Sequence, residues 1–65
     1  MKDEEFETLT MMIEHLESVE DMAYKKFNHY FDNKNYYKAF LFQALSNRIN
    51  LEIQMLEIYI DMEEK

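Results

Sequence analysis

Between residues 39 and 62, apolar side chains recur in two heptad rows where a simple amphipathic helix would show one. Ala39, Phe42, Ser46, Ile49, Ile53, Leu56 and Ile60 follow in alternating steps of three and four. That spacing holds residues on one face of an α-helix. Leu41, Ala44, Arg48, Leu51, Met55, Ile58 and Met62 repeat the same steps. At about 100° per residue the two rows lie roughly 200° apart. A third row, Gln43, Asn47, Asn50, Gln54, Glu57 and Asp61, gathers the polar residues, and from Gln43 to Leu56 only Arg48 and Glu52 are charged. One apolar face of such a helix suits its own chain, and the other then requires a partner.

The first half of the chain carries a single stripe. Phe6, Leu9, Ile13, Leu16, Ala23, Phe27 and Tyr30 keep helical spacing, with Glu20 standing at the missing step. The opposite face, with Glu4, Thr8, Met11, Glu14, His15, Ser18, Asp21, Lys25 and His29, reads as solvated. Asp3, Glu4, Glu5 and Glu7 place negative charge where the dipole of a new helix favours it. The turn signal is Asp32-Asn33-Lys34-Asn35. Asn tolerates left-handed backbone, so Asn33 is expected to close the first helix, and Asn35 or Asp32 to cap the second.

The spacing therefore predicts one all-α domain over residues 1–65: helix over 3–31, turn at 32–35, helix over 36–63. A short connection makes the two helices antiparallel neighbours. The row from Ala39 to Ile60 is expected to form the seam within the chain. The row Leu41, Ala44, Arg48, Leu51, Met55, Ile58, Met62 is expected to be the interface with a partner, foremost a second copy, giving a homodimeric four-helix bundle. Arg48 and the small Ser46 interrupt the two rows and read as register devices. Arg48 either bridges Glu52 on its own helix or meets a carboxylate across the seam.

Composition narrows the alternatives. A 65-residue chain is marginal alone, and with no cysteine it has neither disulfides nor thiolate metal sites, which leaves association as the route to stability. The absence of Gly and Pro argues against hairpin strands and tight turns. A 48% hydrophobic, 15% aromatic chain is too apolar for a disordered tail, yet no apolar run approaches the roughly 18 residues of a membrane span. The acidic opening Met1-Lys2-Asp3-Glu4-Glu5 is unlike a signal peptide, so a cytoplasmic location is expected. A net charge of −7 disfavours nucleic acid and anionic membranes and is compatible with a partner that has a basic surface. Abundant Phe, Tyr, Met, Ile, Asn and Lys with a single arginine is the bias of A/T-rich codons, pointing to a low-GC bacterium, its phages or its plasmids.

Residues able to carry chemistry are sparse. His15 and His29 fall about 21 Å apart on one helix and cannot share a metal within the chain. Neither is preceded by the carboxylate of a Glu-x-x-His site, so no metal or cofactor is expected. Glu14, Glu17, Glu20 and Asp21 form an acidic band that reads as solvated, and no nucleophile, phosphate loop or redox motif accompanies it. A non-enzymatic role follows. Tyr24, Phe27, Tyr30, Phe31, Tyr36, Tyr37, Phe40 and Phe42 cluster around the turn, either plugging it or offering a contact surface, with Lys25, Lys26, Lys34 and Lys38 nearby. Tyr30, Tyr36, Tyr37, Lys34 and Lys38 are the candidate partner contacts there.

The functional expectation is a small acidic adaptor or inhibitor that dimerises and modulates a larger protein. Length and hairpin pattern also resemble in outline the Rop family of plasmid copy-number regulators. That resemblance implies a dimeric four-helix bundle that binds RNA, with Lys25, Lys26, Lys34, Lys38 and the neighbouring tyrosines as the contacts. A third option is a small structural subunit whose outer row faces a different protein.

Overall fold

A computed structural model describes residues 2–64, leaving Met1 and Lys65 outside the description. Helix α1 spans Asp3–Asp32 and helix α2 spans Tyr36–Glu63. They pack side by side as a hairpin measuring 47 × 16 × 10 Å, long and only one helix thick. The start of α1 gathers Asp3, Glu4 and Glu5 in its first turn, while Lys2 offers no side-chain cap. The dipole interaction is thus the main local aid at that end. The second helix continues unbroken to Glu63, and the Glu64 amide donates to the Ile60 carbonyl. Residues 61–63, where a helix end commonly frays, remain helical, and Lys65 lies outside the described residues.

Asn33 is the C-cap of α1 and Asn35 the N-cap of α2, as expected, but the left-handed position falls one residue past Asn33. Asn33 stays at φ −88°, and Lys34 is the residue that turns left-handed, at φ 62°. The Asn35 amide donates to the Tyr30 carbonyl at 2.8 Å and the Lys34 amide to the Phe31 carbonyl at 3.0 Å. These two bonds make a Schellman closure, which fixes the left-handed position by register rather than by residue preference. Asn33 contributes through its side chain, whose Nδ2 donates to the His29 carbonyl at 2.7 Å. Asn35 caps α2 by accepting the Lys38 amide on Oδ1 at 3.4 Å, and Asp32 ends α1.

The seam between the helices follows the inner row. Ala39, Ile49 and Ile53 are buried, with Phe42, Ser46, Leu56 and Ile60 half-buried. From α1, Ala23 is buried while Leu9, Ile13, Leu16, Phe27 and Tyr30 are half-buried. Glu20 keeps its place in that row and is half-buried as well, whereas Phe6 at the open end is exposed. No large side chain is completely enclosed among the described residues. Two helices alone provide a seam but no interior, as the 10 Å thickness requires.

Candidate interaction surface

The two sides of α2 meet different fates in the hairpin. Every member of the outer row (Leu41, Ala44, Arg48, Leu51, Met55, Ile58 and Met62) is exposed. Leu51 retains 57% of its accessible surface, Met55 63% and Met62 69%. Sixteen large apolar side chains among the described residues are at least 40% exposed, far more than the scattered few expected on a finished surface. Arg48 lies within this row, with Nε 3.4 Å from Oε1 of Glu52, one turn on. The Arg48 side chain is largely in water and that of Glu52 about half so, and the pair contributes a few tenths of a kcal/mol at most.

On one side the outer row continues into a groove between the helices. Thr8, Met11, Met12, His15 and Leu16 of α1 face Glu52, Met55, Leu56 and Tyr59 of α2 across an open trough of about 850 Å³. A smaller hollow lined by Glu4, Glu5, Leu9, Thr8 and Tyr59 extends it toward the open end. Met55 belongs to both row and groove. Periodicity had placed Met11 and His15 on a solvated face and gave no reason to expect a cleft. Their contribution emerges only when α2 is set beside them, because the trough is made by two helices and neither sequence stripe contains it. Three methionines around it supply flexible, polarisable side chains that adapt to a partner's shape.

The turn end is part plug and part open surface. Tyr30 and Phe42 stack with ring centroids 5.7 Å apart, Phe27 meets Phe31 at 5.6 Å, and Phe31 meets Tyr36 edge-on at 5.4 Å. Tyr37 stands 77% exposed and Phe40 is exposed beside it. Of the candidate contacts, Tyr30 is drawn into the plug while Tyr36, Tyr37, Lys34 and Lys38 stay at the surface. The lysines nearby are partly engaged within the chain. Lys38 Nζ lies 5.4 Å from the centre of the Tyr30 ring, and Lys25 pairs with Asp21 at 3.0 Å. Lys34 carries the left-handed turn position.

The acidic band yields only a shallow hollow lined by Glu17, Glu20, Asp21 and Tyr24. Among the described residues no group of three or more His, Cys, Asp or Glu side chains is placed to hold a metal ion. No described helix is long and apolar enough to cross a membrane. The fold and surface define an all-helical two-helix hairpin with an uncovered apolar side. No family model matches the chain, and no curated protein or solved structure matches it either.

Proposed function

We propose that this protein is a small acidic interaction module without catalytic chemistry, which pairs with itself as a four-helix bundle and, as that dimer, binds and modulates a larger protein. The observation that carries this reading is the exposure of the whole outer row of α2 together with the adjoining groove. Burying a large apolar side chain contributes about 1.5–3 kcal/mol, so five such residues in each chain (Leu41, Leu51, Met55, Ile58 and Met62) provide ample drive for association. A two-fold dimer is the commonest way to cover one face with itself. The turn-end residues Tyr36, Tyr37 and Lys34 remain free for the larger partner, for which the net charge of −7 favours a basic surface.

Thermal unfolding at several protein concentrations tests the pairing. The midpoint of the unsubstituted chain rises with concentration, because dissociation accompanies unfolding. With Leu51→Glu and Met55→Glu together, that dependence disappears and helicity falls. A concentration-independent midpoint that the double substitution leaves unchanged contradicts the proposal.

A further inference from the structure

The dimer reading leaves the direction of pairing open, and the charges along α2 answer it. The edge of α2 that borders the groove holds a further heptad row: Leu41, Leu45, Arg48, Glu52, Met55 and Tyr59, in steps of four and three. All six are exposed. The row is a palindrome in chemical type about position 50, close to the middle of the helix. Leu41 mirrors Tyr59, Leu45 mirrors Met55, and Arg48 mirrors Glu52.

We propose, resting on the dimer reading, that the occupant of this face is a second copy of the chain laid antiparallel, with the two-fold axis crossing the seam between Arg48 and Glu52, at the axial level of position 50. In that arrangement apolar positions face apolar positions along the seam. Arg48 of each copy faces Glu52 of the other, so the bridge within each helix becomes a ring of alternating charge at the axis. A parallel pair sets Arg48 against Arg48 and Glu52 against Glu52, with like charges opposed. The hairpin as a whole repeats this logic. Between Met22 and Asn47, Lys25, Lys26, Lys34 and Lys38 stand against the single acid Asp32. The other thirteen acids lie toward the open end, with only Lys2 and Arg48 among the described basic residues there. Antiparallel copies run the basic turn end of each alongside the acidic open end of its partner. Parallel copies set the acidic open ends against each other and the basic turn ends against each other.

The chain has no cysteine, so introduced thiols report the arrangement without interference. Leu41→Cys and Tyr59→Cys chains are made separately, unfolded together, refolded and treated with a mild oxidant. The antiparallel seam brings position 41 of one copy beside position 59 of the other, within disulfide reach. Position 41 then lies roughly 27 Å from its own counterpart, at about 1.5 Å per residue. Cross-linked dimer is therefore expected in the mixture and absent from either variant alone. Leu45→Cys mixed with Met55→Cys behaves the same way, a second pair that guards against one substitution disturbing the seam. Cross-linking of each variant with itself overturns the proposal in favour of a parallel pair. No cross-link from either mixture, in samples whose mass is that of a dimer, also overturns it and leaves the dimer reading standing. Monomeric mass for the unoxidised variants and the unsubstituted chain overturns both.

Discussion

The inner and outer rows of α2 share one helix, one spacing and much the same residue types, yet within the hairpin they live in different solvents. The inner row meets α1, so Ile49 and Ile53 keep only 5% and 6% of their surface. Most of the outer row faces away from α1, so Leu51 and Ile58 keep more than half of theirs. Heptad spacing decides which residues share a face, but the partner decides whether that face becomes an interior. The interruptions differ in the same sense. Ser46, small and neutral, sits half-buried in the inner row, whereas Arg48 holds its charge in water beside Glu52. A charged residue belongs on the side whose partner can supply a counter-charge.

Perturbing each row separately breaks this comparison. The largest effect is expected from Leu51→Glu with Met55→Glu, which raises the dimer dissociation constant by at least about a thousandfold, since two apolar anchors per chain are lost and charge is placed in the seam. Sedimentation velocity measures it. An inner-row truncation, Ile53→Ala, costs about 2–4 kcal/mol of stability by chemical denaturation and leaves the pairing surface in place. If Ile53→Ala left stability untouched, the inner row would not be the seam.

The turn offers smaller and opposite tests. Asn35→Ala removes the acceptor of the Lys38 amide and is expected to destabilise by about 1 kcal/mol in urea melts. Lys34→Gly relieves a left-handed lysine and is expected to stabilise by roughly 0.5–1 kcal/mol in the same assay. Removing the exposed Lys25–Asp21 bridge by Lys25→Gln should shift the melt by no more than a few tenths of a kcal/mol.

Particular elements show how far the residues alone carried the reading. Helical spacing located the inner row and its α1 counterpart, including the odd member Glu20, because a two-helix seam is a property of periodicity. Asn35 was recognisable as a cap from its chemistry and position. The left-handed residue was not, since Asn33 has the better intrinsic preference while the bond from Asn35 to Tyr30 sets the geometry one residue later, at Lys34. The groove was also hidden. Met11 and His15 are off the apolar stripe of α1, and only the lateral placement of Met55 and Tyr59 turns them into a lining. Contacts within a helix follow from the order of residues, whereas surfaces assembled from two helices depend on how those helices are set side by side.

Sedimentation equilibrium of the unsubstituted chain over a wide concentration range tests most directly whether the outer row of α2 is an interface between copies. The expected mass is twice that of the 8.1 kDa chain, falling toward one chain only on dilution. A stable, fully helical species of 8.1 kDa at every concentration would contradict the account.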